Sequence, residues 1–586
     1  MTLGPAGSQF SMAQGGQVGN GSGSFLVSVS SGSVSYTTSV IGANWITGGG
    51  SGTATPSSPG TVNFAIDPAA SALLSPGAYY ATVRVSSSGV VNSPQDFQVI
   101  LNVSPPTTRV IPDPQPAGLV FLSSGAALPA ETVQVFASSK AALAFQSAAS
   151  TSDGSGWLSV SPTTGSTSAT NPASVSVTAN AKGLAPGTYR GSVSFAFATA
   201  VRTVNVTLVV EPPLGTAGAE APVQVSSAST ATGAVNKPET TGPSCTGAQL
   251  VPTQTGLVSN FSAPASWPLP LALIVVDSCG NTIGNGQVVT TFSNGDPPLV
   301  LAPINPQTGL YSATWTPRKT SQQVTILARV SVPGYTTATT QIAGQVAPNT
   351  APVLAPNGTL DIFNPEVGAG VGPGNIVQIY GSGLASVSGS PAVLPLPTQL
   401  NGTTVLIGGE NAPLYYVSPG QINAQIPFDL VPGSQYQVIV SANGALTTPQ
   451  PINLTAAVPA ILDFTTGAVV AQHQDGTLIL DSSPAAPGEY VTFYLSGLGA
   501  TDINVPSGAA SPSNPPANVL NQPTLTLSGT QVPVLFAGLA PGFVGLYQIN
   551  FQMPAQLPDC NYQLVISQNG TSSNQTILPV KNPGSN

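Results

Sequence analysis

A glycine or a proline falls at about every fifth position of this chain (63 and 58 of 586 residues), and this punctuation limits its fold more than any other feature. Proline removes a backbone donor and clashes inside a helix, and glycine costs a helix about 1 kcal/mol relative to alanine. No stretch carries apolar residues at i, i+3, i+4 and i+7 without such a break, so long helices are excluded. Between the breaks lie short runs that alternate apolar and polar, such as Ser24-Phe-Leu-Val-Ser-Val-Ser30, Ser174-Val-Ser-Val-Thr178 and Val204-Asn-Val-Thr-Leu-Val-Val210. Two-residue alternation with a turn every 8–12 positions, roughly, describes antiparallel β-sandwiches. The expected fold class is all-β, and the length predicts about three to five domains.

Internal repeats divide the chain further. Trp45-Ile and Trp157-Leu each precede a Ser/Thr/Gly/Pro-rich loop and an alternating strand. Ser75-Pro-Gly-Ala-Tyr79 and Ala185-Pro-Gly-Thr-Tyr189 follow, with Pro-Gly making a turn and the tyrosine opening the returning strand. The C-terminal part repeats as well. Pro373-Gly-Asn-Ile-Val-Gln-Ile-Tyr-Gly-Ser-Gly-Leu384 matches Pro487-Gly-Glu-Tyr-Val-Thr-Phe-Tyr-Leu-Ser-Gly-Leu498, and Gln421-Ile-Asn-Ala-Gln-Ile-Pro427 matches Gln548-Ile-Asn-Phe-Gln-Met-Pro554. Tyr436-Gln-Val-Ile-Val-Ser-Ala-Asn-Gly444 matches Tyr562-Gln-Leu-Val-Ile-Ser-Gln-Asn-Gly570 in the same order.

Trp157-Leu-Ser-Val-Ser-Pro-Thr-Thr-Gly165 with Gly183-Leu-Ala-Pro-Gly-Thr-Tyr-Arg-Gly191 resembles the BACON family of bacterial immunoglobulin-like modules. The first copy resembles it too, although Trp45-Ile-Thr-Gly-Gly-Gly50 lacks the Ser-Pro turn. The family name implies carbohydrate binding, and such modules look mostly like spacers in secreted proteins. Residues 395–427 and 535–554 resemble the C-terminal domain family first defined on Solibacter proteins, and the first of the two repeats resembles an IPT/TIG fold. The expected organisation is tandem immunoglobulin-like β-sandwich domains: BACON-like sandwiches over 1–105 and 106–212, a linker over 213–244, a bacterial immunoglobulin-like sandwich over 245–346, and two C-terminal repeats over 347–457 and 458–586. Tandem order implies a stiff rod.

Charge excludes several functions. Charged residues make up 5% of the chain, against about 25% in an ordinary domain. Between Arg329 and Lys581 there is no Lys or Arg, whereas ten acids lie there, within a net charge of −9. Nucleic-acid binding needs a Lys/Arg footprint to displace phosphate counterions, so it is excluded. No apolar run reaches the roughly 20 residues of a membrane span. Met1-Thr-Leu-Gly-Pro-Ala-Gly-Ser8 has no signal-peptide pattern; a removed leader and an extracellular or cell-surface location are the expectation.

Little chemistry is legible. The one histidine, His473, stands in Ala471-Gln-His-Gln-Asp-Gly476 and is expected in an exposed hairpin turn. Asp475 with Asp481, and Asp361 with Glu366, are the nearest candidates for a carboxylate pair. No metal motif is present, so no catalytic residue, metal or cofactor is assigned. Cys245 and Cys279 are expected to form a disulfide across the start of the third sandwich, leaving Cys560 over. Trp45, Trp157 and Trp315 are expected in cores. Trp267, ahead of a strand, Tyr416, beside Tyr415, and Phe543, in a Pro-Gly-Phe loop, are the expected outward aromatics and the candidate ligand contacts. The function expected is non-enzymatic adhesion or structure outside the cell, with self-association through sheet edges into filaments or matrix. A carbohydrate-binding protein is the first alternative, with a glycan as partner, and a polysaccharide-acting enzyme the second.

Overall fold

The computed structural model describes residues 1–16, 18, 21–105, 113–123, 128–137, 141–168, 171–198, 200–211 and 249–582. It is all-β, built of tandem immunoglobulin-like sandwiches. Among the described residues the helix content is one turn, Pro68–Ser71, where Asp67 Oδ1 accepts from the Ala69 and Ala70 backbone N–H at 2.8 Å each. No helix among them is long and apolar enough to cross a membrane.

The first sandwich pairs a sheet of Thr2–Gly4, Ser22–Ser28, Gly60–Ile66 and Ile46–Gly48 with one of Gly7–Ala13, Gln95–Ser104, Gly77–Ser86, Val34–Ile41 and Gly50–Ala54. The second repeats that order. One sheet holds Asp113–Gln115, Glu131–Phe136, Ala173–Ala179 and Leu158–Ser161; the other holds Gly118–Ser123, Ala200–Val210, Gly187–Phe197, Leu143–Thr151 and Thr164–Thr167. Even the parallel pair recurs, Gly7–Ala13 on Gln95–Ser104 and Gly118–Ser123 on Ala200–Val210. Alternation decides which face is inward: Phe25 and Val27, or Val175 and Val177, are buried while their neighbours are not. Trp45 and Trp157 occupy the same core place in the two copies, as expected.

The third sandwich is one hydrogen-bonded path of eight strands, from Leu250–Gln254 to Phe261–Pro264. It folds into two layers because Leu299–Asn305 pairs first with Gln287–Phe292 and then with Leu310–Trp315, slipping register between Pro303 and Asn305. Trp315 is core, stacked on Phe292 at 4.7 Å with its indole N–H on Asp296.

The C-terminal repeats share a plan too. Val353–Asp361, Ile376–Ser382, Gln421–Gln425 and Leu414–Val417 form one sheet of the first repeat. Ala460–Ile461, Tyr490–Ser496, Tyr547–Gln552 and Val534–Leu539 form its counterpart.

The sandwiches do not line up as a rod. Asn92 Nδ2 donates to Gln435 O at 2.5 Å, and Asp96 N–H donates to Gln437 Oε1 at 2.8 Å, while Gln437 Nε2 donates back to Asp96 O at 3.3 Å. These bonds bring the first sandwich against the fourth. One buried apolar cluster runs from Ala117 to Val346 and joins the second sandwich to the third. The fourth meets the fifth where Tyr415 OH donates to Val544 O and Gly508 N–H to Gln425 Oε1. A low-charge surface rich in amides and hydroxyls can pair with another copy of itself, and here it does so within the chain.

Candidate functional site

In the first C-terminal repeat, strands Ile376–Ser382, Gln421–Gln425 and Leu414–Val417 turn alternate residues into the core. Val377, Ile379, Ile422, Ala424, Leu414 and Val417 are fully buried. Their neighbours Gln378, Tyr380, Gln421, Asn423 and Tyr416 are partly exposed on the opposite face. Register sets Gln378 and Tyr416 on either side of Asn423, and Tyr380 opposite Gln421. Gln421 Nε2 donates to Asn423 Oδ1 and Tyr380 OH donates to Gln378 Oε1, both at 2.8 Å.

The second repeat builds the same ladder. Thr492 and Phe536 flank Asn550, and Tyr494 lies opposite Gln548. Gln548 Nε2 donates to Asn550 Oδ1 at 2.8 Å, Thr492 Oγ1 to the same oxygen at 3.2 Å, and Tyr494 OH to Gln472 Oε1 at 2.9 Å. Both sheets carry a register shift at the same place, between Leu414 and Tyr416 and between Val534 and Phe536, which sets the aromatic ring beside the asparagine. The ring of Phe536 extends over Gly538, where a Cβ would stand 2.7 Å from its Cζ. In each copy the asparagine oxygen accepts within the sheet, and among the described residues no hydrogen bond engages its two N–H donors, which stand beside a ring and a glutamine amide. Such a face can hold hydroxyl groups. Tyr380, Tyr416 and Tyr494 are the tyrosines it carries.

The aromatic expectations divide. Tyr416 is on this face. Phe543 is exposed, with its carbonyl held by Ser511 N–H and Oγ at 2.9 Å each while its ring stays free. Trp267, expected outward, is 1% exposed. It lies under the first sandwich, where a Cβ on Gly7 would stand 3.4 Å from its Cζ2, so it is an interface residue and no ligand contact. The three do not form one site. Tyr415, the neighbour of Tyr416, points into the junction between the repeats, where its OH donates to Val544 O at 2.6 Å and burial pushes its phenol up to about 12.

His473 is not the solvated turn residue expected. Its Nδ1 is 3.1 Å from Glu489 Oε2, and its Nε2 is 3.1 Å from Ser483 O and 3.3 Å from Ser483 Oγ. Serine, imidazole and carboxylate stand in the order of a hydrolase triad. The Ser483 carbonyl is nonetheless nearer the ring than its hydroxyl, and Ser483 N–H donates to Leu480 O instead of facing a developing oxyanion. The ring therefore ties a hairpin to Glu489. Sequence reasoning missed Ser483 and Glu489 because 10 and 16 residues separate them from the histidine. Asp361 does not pair with Glu366. It is buried at the junction of the two repeats, accepting from Asn375 Nδ2 at 2.6 Å, Ser496 Oγ at 2.8 Å and the Phe363 and Asn364 N–H. Burial pushes its carboxyl above the usual range, against the pull of those donors. Among the described residues no three His, Cys, Asp or Glu side chains converge as metal ligands.

Cys279 is disulfide-bonded and Cys560 is an exposed free thiol; Cys245 lies outside the described residues. Two grooves among the described residues are notable. One, about 810 Å³ on the first sandwich, is lined by Ser35, Thr37, Ser51, Thr53 and Ser86. The other, about 430 Å³, contains Arg190.

Comparison with known proteins identifies two of the modules. Residues 116–210 match the model of the viral BACON domain, and residues 359–456 match that of the IPT/TIG domain. A search of curated proteins finds no match. Among solved structures the chain is similar to SGBP-B of the Bacteroides ovatus mixed-linkage glucan utilization locus in complex with a mixed-linkage heptasaccharide. The identity is 14% over 57% of this chain and 70% of that one, with a TM-score of 0.25. It is also similar to the N-terminal eight Ig domains of the Down Syndrome Cell Adhesion Molecule, at 9% identity over 98% and 67% with a TM-score of 0.14. A third is an endo-fucoidan hydrolase of glycoside hydrolase family 107, at 13% identity and a TM-score of 0.14; the match covers 58% of this chain and 43% of that one.

Proposed function

We propose that this chain is a non-enzymatic extracellular or cell-surface adhesion protein whose contact surface is the duplicated sheet face of the C-terminal repeats, with a neutral glycan as its ligand. The observation that carries this is the second building of the same outward ladder. Core residues recur in a duplicated sandwich because packing demands them. An outward Asn with a Gln, a Tyr and a ring beside it has no such demand, yet Asn423 and Asn550 recur with their neighbours, bonds and register shift. Amide donors beside an aromatic ring suit vicinal hydroxyls on a sugar ring. Two modest sites on one chain gain avidity on a polymer without any new contact.

The disulfide at Cys279 supports an oxidising compartment, and hence a location outside the cytosol. The engaged Ser483 N–H and the placement of His473 favour the non-enzymatic reading over hydrolysis. Self-association belongs to the same proposal: short uncharged edge strands such as Gly50–Ala54 and Thr164–Thr167 lack the charges that usually block strand addition.

Affinity electrophoresis against a panel of neutral polysaccharides tests the reading. At least one polysaccharide should retard the native chain. Asn423→Ala and Asn550→Ala should each weaken retardation, and the double variant should abolish it with melting unchanged. Equal retardation of the double variant and the native chain would rule the sheet face out.

A further inference from the structure

Two arginines of this chain, both on sandwich strands, are set up in opposite ways. Arg84 on the first sandwich presents Nε and Nη2 to the two carboxylate oxygens of Asp96, at 2.8 Å each, the side-on fork that guanidinium makes with an oxyanion. Arg190 on the second sandwich has no such partner. Its Nη1 donates to Pro252 O at 2.9 Å and to Thr207 Oγ1 at 3.3 Å, which fixes the group across the junction of the second and third sandwiches. Its Nε and Nη2, the same edge that Arg84 uses, meet no acceptor among the described residues, and no carboxylate there lies within 4 Å. Burial pulls the Arg190 pKa down with no anion to offset the desolvation, yet an arginine remains cationic at any physiological pH.

This guanidinium opens on a cleft of about 430 Å³ between the two sandwiches, within the usual size of a ligand site. The walls carry Ser150, Ser192, Asn205, Thr340 and Gln341, neutral groups that both donate and accept, with Leu327 as an apolar patch. Duplication does not account for the charge. Tyr79 and Tyr189 occupy matching register positions, and the residue after each is Tyr80 in the first copy and Arg190 in the second.

We propose that this cleft is a binding site for an acidic saccharide, in which the Nε/Nη2 edge of Arg190 takes the oxyanion and the hydroxyl and amide walls take the sugar hydroxyls. An acidic peptide would offer the same charge, but its apolar and backbone groups match neutral hydroxyl walls less well. The site is separate from the duplicated sheet face and does not depend on it.

Isothermal titration of the full chain tests the assignment, with a galacturonate trimer, a sulfated galactose oligomer, a neutral galactose trimer and tri-glutamate as probes. The galacturonate trimer, the sulfated oligomer or both should bind and the other two should not; whichever oxyanion binds more tightly identifies the source. Arg190→Gln should weaken binding at least tenfold and Arg190→Lys less, because lysine restores charge without the fork. Arg190 also bridges two sandwiches, so Asn205→Leu, which lines the cleft without touching Pro252, should weaken binding with melting unchanged. Asn423→Ala and Asn550→Ala should leave it unaltered, so a failure here is distinct from a failure of the sheet-face reading. Absence of binding by either oxyanion sugar, equal binding of the neutral trimer or tri-glutamate, or native-like affinity in both Arg190→Gln and Asn205→Leu would overturn the proposal.

Discussion

Trp267 is held by packing: among the described residues its indole N–H has no hydrogen-bond partner, and 1% of the residue is exposed. Truncating such a residue removes its transfer energy and leaves a cavity, typically about 3–5 kcal/mol. Trp267→Ala should therefore lower the melting temperature measured by calorimetry while leaving retardation on any glycan unchanged; a glycan-specific loss in a fully stable variant would contradict its placement. In sequence, Ser266-Trp267-Pro268 ahead of a strand looks like an exposed position because the residues that cover it, around Gly7, are about 260 positions away. The same distance effect hid the partners of His473. By contrast Trp45 and Trp157 were legible from their equivalent places in the two repeats, and Trp315 from the alternating strand Leu310–Trp315, whose inward face is locally determined.

At the scale of elements, the ends of strands carry the junction between the C-terminal repeats. Asp361 closes Val353–Asp361, and through Ser496 it touches the end of Tyr490–Ser496 in the next repeat. Its carboxyl is raised by burial, so the folded state holds that proton more tightly than the unfolded chain, whose value is near 4. The stability it contributes is full below that value and is lost as pH rises through the folded value. Acidification from pH 7 toward about 4.5 should thus raise the melting temperature of the native chain relative to that of Asp361→Asn, which cannot titrate. Asp361→Asn should also be less stable throughout, because an amide N–H₂ then faces donors from Asn375 and Ser496. A pH profile identical in the two proteins would remove Asp361 as the cause. The strands themselves, and the duplication that pairs them, were legible from Gly/Pro spacing and from three co-linear matches. Their outward polar ladder was visible there too, as repeated Gln and Asn between buried positions, but only the register showed that the asparagines stand beside rings.

At the scale of the whole molecule, bonds from Asn92 and Asp96 to Gln435 and Gln437 bring parts of the chain some 340 residues apart into contact. A fully compact chain of this length has a radius of gyration of about 25 Å, and an end-to-end array of sandwiches would roughly double that. Small-angle scattering should give a value near the compact end, and a concentration series in the same experiment reads out self-association: a rise with concentration supports strand addition, and a constant value removes it. By itself the sequence determined that this protein is a series of β-sandwiches and how the copies are duplicated. These follow from local backbone preferences and two-residue periodicity, each of which acts over a few residues. Tertiary structure alone decided which aromatics are covered, how the sandwiches fold back on one another, and that Arg190 keeps a free edge where Arg84 does not. Those outcomes depend on contacts between distant segments, and in a chain with so few charges and so many interchangeable polar side chains nothing local encodes which segments meet.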